Sequence, residues 1–449
     1  MSTPLMISIS GVRGIVGESL TPQVALRWAE AFGAKCRPGP VVVGGDSRVS
    51  SVMMRAAAFS GLAGSGARII DVGIVPTPTV SMALRHHGAG GGIAITASHN
   101  PAEWNAFKFF GADGLFLDEN SGARLRAAVE SDRSFSVSAM EIGTYGKDEE
   151  AVTRHVEAVL KIPFLDLPQL KKRRFRVGLD AVCGAGGDLL SRLLDRLGCK
   201  VSGFHLEPSG RFPRNPEPIP EHLGDVGRAM KNAGVDIGFV ADPDADRLAV
   251  ILETGECAGE ESTLVAATDL TLRHAKGSVV ANCSTTQALD DVAAKYGVTI
   301  TRTKVGEAHV AREIVRVGAV IGGEGNGGVM LPMIHPARDA AVGMVLILQA
   351  LLESRQSVSD YFATLPRYHM IKRRISFSSL DELKSRLETL EQRANLGKPD
   401  RLDGLKWSND EGWVQARASN TEPIVRVIAE AGDPQTAERL ARQVTDALG

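Results

Sequence analysis

Residues 236–247 read DIGFVADPDADR, an apolar run that breaks into three acids at alternate positions, Asp242, Asp244 and Asp246. Apolar residues of strand length that feed directly into a polar turn mark the carboxyl end of a buried strand, where open α/β sheets place their ligands. The signature occurs twice more, as GGIAITASHNP at 91–101 and AVIGGEGNGG at 319–328. Three unrelated polar loops at equivalent strand ends point to one shared cleft; three ordinary surface turns are the competing reading.

The segments around these loops alternate between helix and strand. In the first unit, Thr21-Pro22 caps a helix with Val24, Trp28 and Phe32 on one face. It is followed by a strand over 40–46, a helix over 49–63 and strands over 67–73 and 92–97. A second unit runs strand 176–180, helix 188–197, strand 200–205, helix 221–232, strand 236–240. A third runs helix 262–273, strand 278–282, helix 287–296, strand 299–303, helix 309–317, strand 319–322. Beyond Pro366 the pattern changes to a strand (370–377), a charged helix (380–394), paired strands around 412–431 and a final helix, which is α+β patterning. The expected domains are therefore 1–150, 151–255, 256–365 and 366–449, consistent with a chain of 449 residues being too long for one core.

Composition narrows the class of ligand. A formal net charge of -2 gives no global attraction to nucleic acid or an anionic membrane, so an anionic ligand must be held by a local cluster of Lys and Arg. The expected partner is a small molecule. The five cysteines form no CxxC pair and read as reduced core residues. No basic segment followed by an apolar stretch opens the chain, and the apolar run over 340–352 is interrupted by Gln349 and too short to span a bilayer, so a cytoplasmic location is expected.

Alternating acids in an extended loop aim three carboxylates at one point, which suits a hard cation such as Mg²⁺. An EF-hand also opens this way, but its glycine and distal glutamate are absent, Arg247 and Leu248 following instead; a solvated acidic turn is the plain alternative. In TASHNP, Ser98 stands at a strand end beside His99, a potential proton carrier, and Lys108 lies a few residues on. Such a serine can accept a phosphoryl group, although an isolated one more often caps a helix or turn. Lys108 could pair with phosphate or take a proton from a sugar hydroxyl, or be a solvated charge. In RASNTEP, Arg417, Ser419, Asn420 and Thr421, with Arg426 beyond, collect donors that fit a phosphate or make a polar hairpin. The glycines of GGEGNGG let backbone approach a ligand while Glu324 and Asn326 could grip hydroxyls; a flexible turn is the alternative.

The four motifs TASHNP, DPDADR, GGEGNGG and RASNTEP resemble, in order and spacing, those of the α-D-phosphohexomutase family, and SGVRG at 10–14, GDSR at 45–48 and Lys304-Val305-Gly306 are similar to it as well. The resemblance covers nearly the whole chain. It implies three topologically similar α/β domains with mixed sheets and a C-terminal α+β domain around a central cleft. It implies an isomerase-class phosphoprotein of carbohydrate metabolism that interconverts hexose or hexosamine 1- and 6-phosphates through phosphorylated Ser98 and a 1,6-bisphosphosugar. Ser98, Asp242, Asp244 and Asp246 would hold Mg²⁺, with Arg247 beside the catalytic phosphate. Glu324 and Asn326 would contact the sugar; Arg417, Ser419, Asn420, Thr421 and Arg426 would clamp its other phosphate; and Arg13, Lys108 and Lys304 would line the cleft.

The chain departs from the better-known bacterial mannose/glucose members, which resemble it but often have a histidine at the end of the sugar loop and another after Lys-Val-Gly. Gly328 and Glu307 occupy those places. Elimination then leaves Lys108 or His99 as the acid/base group, and the GEGNGG and SGVRG segments, similar to those of phosphoglucosamine mutases, tilt the expected substrate toward a hexosamine phosphate over glucose or mannose. A metal-dependent sugar phosphatase and a non-catalytic phosphosugar-binding protein are the rival readings, and either a monomer or a homodimer is compatible.

Overall fold

The apolar strands that lead into the three loops sit in mixed sheets built to one plan. Gly91–Ile95 has Val41–Gly45 parallel on one side and Trp104–Gly111 antiparallel on the other. Ile237–Ala241 lies likewise between Arg176–Asp180 and Leu248–Ile251, and Ile321–Glu324 between Val279–Asn282 and Gly328–Met330. A fourth strand extends each set in parallel: Ile69–Ile74, Lys200–Phe204 and Ile300–Thr303. Each polar loop is thus the turn of a hairpin that leaves the carboxyl end of a parallel strand. The computed structural model describes residues 5–8, 11–131, 133–418 and 424–449.

The first sheet carries three additional strands, Met6–Ser8, Gly11–Ile15 and Tyr145–Lys147. One of them matters for the site. Arg13 pairs with Ala106, two residues before Lys108 on the neighbouring strand, so period-two alternation puts Arg13 and Lys108 on one face. The fourth sheet is wholly antiparallel, in the order His369–Ser376, Ile424–Ala431, Gly412–Ala418, Leu405–Asn409, and is packed by Leu380–Ala394 and Pro434–Leu448. The expected α/β units and α+β tail are therefore present. The expected helix over 221–232 is split, because Pro220–His222 forms a 3₁₀ turn and the α-helix begins only at Gly224.

The apolar run near residue 340 is the central helix Ala340–Ser354, buried continuously from Ala340 to Leu351. A helix apolar all round belongs inside a large core, and this one packs on Ser262–His274, Ala151–Val159, Leu167–Arg173 and Gly186–Arg196. One apolar cluster consequently runs from Val42 and Phe110 through Leu179 and Phe239 to Leu264 and Leu346, joining the first three units. Full burial of each such aliphatic side chain is worth roughly 1.5–3 kcal/mol. The fourth unit has a separate core around Trp407, Val427 and Leu440. Among the described residues no helix is long and apolar enough to cross a membrane.

The central helix begins at a buried polar knot. Asp339 Oδ1 caps it by accepting from Ala341 N at 2.9 Å, while Oδ2 faces His155 Nε2 at 2.7 Å and His335 Nε2 at 2.8 Å. Thr79 Oγ1 lies 2.8 Å from His155 Nδ1, so a hydroxyl donating there leaves the Nε2 proton for Asp339. Burial acts to raise the Asp339 pKa, but His155 and His335 outweigh it and hold the carboxyl below its usual range. Replacing Asp339 by Asn removes that acceptor at full burial. Asp339→Asn should lower stability by about 3 kcal/mol, read as a fall in the melting temperature of the first three units; an unchanged melting temperature would show that the knot contributes nothing.

Candidate active site

Ser98 owes its position to a buried arginine. Arg48 is almost fully buried; its Nε pairs with Asp46 Oδ2 at 3.0 Å, and its two terminal nitrogens donate to the carbonyls of Ser98 and Asn100 (2.6 Å each), Pro101 (2.5 Å) and Trp104 (3.0 Å). Thr96 Oγ1 donates to the same Asp46 oxygen at 2.6 Å and accepts from Ser98 N at 2.9 Å. The loop is thereby pinned with Ser98 at φ 49°, a left-handed conformation that a non-glycine residue holds only when its surroundings enforce it. Ser98 Oγ then donates to Asp242 Oδ2 at 2.8 Å and lies 3.3 Å from His99 Nδ1. Arg13 steadies the loop by donating to Asn100 Oδ1 at 2.7 Å.

Asp242, Asp244 and Asp246 are fully buried, with one ligand atom from each within 4.8 Å of the others. Each carboxylate has its own anchors. Asp242 Oδ1 accepts from the backbone nitrogens of Asp246 and Arg247 at 3.2 Å. Asp244 Oδ2 accepts from Lys108 Nζ and Thr77 Oγ1, both at 2.7 Å, and Asp246 Oδ2 from Arg338 at 2.6 Å. Asp244 Oδ1 and Asp246 Oδ1 are buried without a hydrogen-bond partner. Burial, with the charges of Asp246 and Asp244, drives the Asp242 carboxyl well above its usual range. Burial would raise Asp244 too, but Lys108 and the hydrogen bonds it receives hold it low. Free buried oxygens on crowded acids are what a hard cation would satisfy, so the residues fit Mg²⁺, with Asp242, Asp244, Asp246 and Ser98 Oγ as the donor set.

These loops open on a cleft of about 550 Å³. The first unit gives it Arg13, Ser98, His99 and Lys108; the second Arg247; the third Glu324 and Asn326; the fourth Arg426. Lys304 lines an adjoining hollow with Asp118 and Arg312. Arg417 is turned toward Asp403, its Nε 2.9 Å from Oδ2, an oxygen that also accepts from Val305 N. Ser419, Asn420 and Thr421 lie outside the described residues. Burial and the neighbouring Arg247 lower the Arg13 pKa, and burial with Arg247 and Arg13 pushes His99 well below its usual range, although Glu217 Oε1 lies 3.7 Å from both His99 Nε2 and Arg247 Nη1.

Sequence reading passed over four contributors. Arg48 and Asp46 entered only through resemblance, Thr77 not at all, and Arg338 was unnoticed although it directly precedes the helix-capping Asp339. Arg338 also pairs with Glu324 at 2.8 Å and Glu307 at 3.2 Å, and burial lifts the Glu307 carboxyl to about 7 against the pull of Arg338.

A buried hydroxyl beside a cation cradle, facing a cationic wall, on three repeated α/β sheets and an α+β unit, is the architecture of a phosphohexomutase. The chain belongs to the phosphoglucomutase/phosphomannomutase family: its alpha/beta/alpha domains I, II and III match residues 6–135, 153–255 and 258–368, and its C-terminal domain matches 379–447. A protein of Thermococcus kodakarensis named phosphoglucomutase/phosphomannomutase is 38% identical, covering 95% of this chain and 94% of its own. A Methanopyrus kandleri protein named "Probable phosphoglucosamine mutase" is 34% identical over 97% and 96% of the two chains. The crystal structure of a phosphoglucomutase/phosphomannomutase family protein from Burkholderia thailandensis superposes with a TM-score of 0.84 at 26% identity, covering 99% of this chain and 98% of that one.

If Arg48 shapes the serine loop, Arg48→Met should strand the Asp46 charge and four carbonyls, at a cost on the order of 3–5 kcal/mol. The expected result is faster amide hydrogen exchange over residues 96–104, and wild-type protection there would refute the assignment.

Proposed function

We propose that this phosphohexomutase interconverts hexosamine 1-phosphate and 6-phosphate, with glucosamine phosphate as substrate, through phosphorylated Ser98 and a 1,6-bisphosphosugar. The observation that carries the reading is Ser98 Oγ at 2.8 Å from Asp242 Oδ2, inside a set of buried carboxylates with oxygens to spare. The hexosamine assignment is supported by the GEGNGG loop and by relatives such as the Methanopyrus kandleri protein named for that activity. The domains taken at 1–150, 151–255, 256–365 and 366–449 each contribute one loop.

In the first half-reaction a free sugar hydroxyl oxygen bonds to the phosphorus on Ser98 as the Oγ–P bond breaks, and the hydroxyl proton is taken by His99, whose lowered pKa leaves its ring free to accept one. His99, 3.3 Å from Ser98 Oγ, then passes that proton to the freed serine oxygen. The bisphosphosugar then turns end for end. In the second half-reaction the Oγ–P bond re-forms with the opposite phosphoryl group, the sugar C–O–P linkage opens at phosphorus, and the proton that Ser98 Oγ gives up passes through His99 to the sugar oxygen. Lys108, anchored on Asp244, stands on the sugar side of the transfer with Arg13, while Glu324 and Asn326 orient ring hydroxyls. Arg247, which lines the cleft with Ser98, would neighbour the Ser98 phosphate, and Arg426 would face the phosphate that is not transferred, with Arg417, Ser419, Asn420 and Thr421 completing its clamp and Lys304 at the rim. Bound Mg²⁺, held by Ser98, Asp242, Asp244 and Asp246, would withdraw charge from the phosphoryl oxygens.

With Mg²⁺ and a trace of hexose 1,6-bisphosphate, the enzyme should convert 1-phosphate to 6-phosphate without steady release of inorganic phosphate, and Ser98→Ala should lose all turnover while keeping its fold. Steady phosphate release would instead identify a phosphatase, and full activity of Ser98→Ala would overturn the mechanism. Asp244→Asn should weaken Mg²⁺ binding by at least about tenfold in calorimetric titration, an unaltered isotherm removing the cradle assignment.

A further inference from the structure

Gly328 and Glu307, the two positions at which the sequence departs from its better-known relatives, are both packed on one residue, Arg338. A Cβ at Gly328 would stand 2.2 Å from Arg338 Cδ, so the arginine stem fills the space that a side chain at 328 would need. Glu307 Oε1 accepts from Arg338 N at 3.1 Å, and its Oε2 lies 3.2 Å from the guanidinium. The same guanidinium reaches two functional loops at once. Nη2 donates to Asp246 Oδ2 at 2.6 Å and Nη1 to Glu324 Oε2 at 2.8 Å.

The remaining oxygen of Glu324, Oε1, accepts from Asn282 Nδ2 at 2.9 Å and Gly306 N at 3.0 Å. Glu324 is therefore held from both sides, and the link that fixes it relative to the acidic loop is the planar fork of Arg338. A fork of this kind fixes angle as well as distance, which a lysine ammonium does not. Arg338 also occupies Asp246 Oδ2 and leaves Oδ1, 3.8 Å from Arg247 Nε, as the oxygen without a hydrogen bond.

We propose that Arg338 is a positioning residue that sets sugar selectivity, by locking the Glu324 loop to the acidic loop and so fixing where ring hydroxyls lie relative to the phosphoryl group on Ser98. The proposal rests on the mutase reading given above. An enzyme whose sugar loop is braced this way discriminates between epimers through that brace, and loosening it lowers turnover most for the sugar it fits best.

The test uses full-length wild type, Arg338→Met and Arg338→Lys, with rates normalised to the phosphorylated fraction found by intact mass. Each is assayed for kcat/KM on glucosamine, glucose and mannose 1-phosphates and titrated with Mg²⁺ by calorimetry. In Arg338→Met, kcat/KM on the preferred sugar should fall at least about tenfold and its ratio to the next sugar should shrink at least about threefold, with Arg338→Lys between the two. Mg²⁺ should still bind, because losing the cation leaves Asp246 its charge. A purely structural role would lower yield or melting temperature and leave the ratio untouched. An unchanged ratio overturns the proposal, as does loss of Mg²⁺ binding in Arg338→Met; if that variant does not fold, a wild-type ratio in Arg338→Lys overturns it alone. Wild-type turnover that vanishes in Ser98→Ala secures the mutase reading separately, so failure of one is distinguishable from failure of the other.

Discussion

Everything in this molecule accommodates three carboxylates that have been taken out of water. A single ionised acid at full burial costs several kcal/mol after relaxation, and three together repel one another as well. The chain meets this by bringing cations from outside the acidic loop: Lys108 from the first unit to Asp244, and Arg338 from the third to Asp246. Those partners compensate one oxygen on Asp244 and one on Asp246 and leave the other oxygen of each without a hydrogen bond. The result is a site with acidic oxygens lacking hydrogen bonds at its base and Arg13, Arg247 and Arg426 lining its mouth, which fits a divalent cation below and an anion above.

That requirement dictates the architecture around it. Lys108 and Arg338 can reach the acidic loop only if the three sheets are held at fixed separation, and the central helix Ala340–Ser354 does this by packing into the second and third units together. The helix start is itself part of the site: Arg338 faces the acidic loop while the next residue, Asp339, is tied to His155 and His335. On the opposite side, Thr77 donates to Asp244 and Thr79, within the same helix Thr77–His86, faces His155. A polar chain thus passes behind the acidic loop from Asp244 round to Asp246, with apolar core on its far side.

Much of this was legible in the sequence, and the reason is local. A buried parallel strand is a short unbroken apolar run, and a ligand-facing loop is a break into polar residues, so TASHNP, DPDADR and GGEGNGG stood out at once. The antiparallel strands that follow the second and third loops did not, because Leu248–Ile251 and Gly328–Met330 are too short to display a period. Arg48 and Arg338 were illegible for another reason. Each is a charged residue whose burial draws on far partners as well as near ones, Ser98 lying 50 positions from Arg48 and Asp246 92 from Arg338, and a lone arginine in sequence carries no sign of whether it is solvated or holds a loop in place.

The division between cores separates two tasks. The cradle and the serine loop belong to units that share one continuous apolar cluster, so the distance from Ser98 to Asp242 is set by packing that resists deformation. Arg426 comes from a unit with its own core, joined to the third by polar links such as Gln287 N to Glu430 (2.8 Å), Lys406 Nζ to Cys283 O (2.6 Å) and Val305 N to Asp403 (2.9 Å). Hydrogen bonds of this kind net about 1 kcal/mol each, less than the burial of one aliphatic side chain in a shared core. Ser98 and the three carboxylates are therefore held on one shared core, while Arg426 reaches the same cleft from a unit with a core of its own.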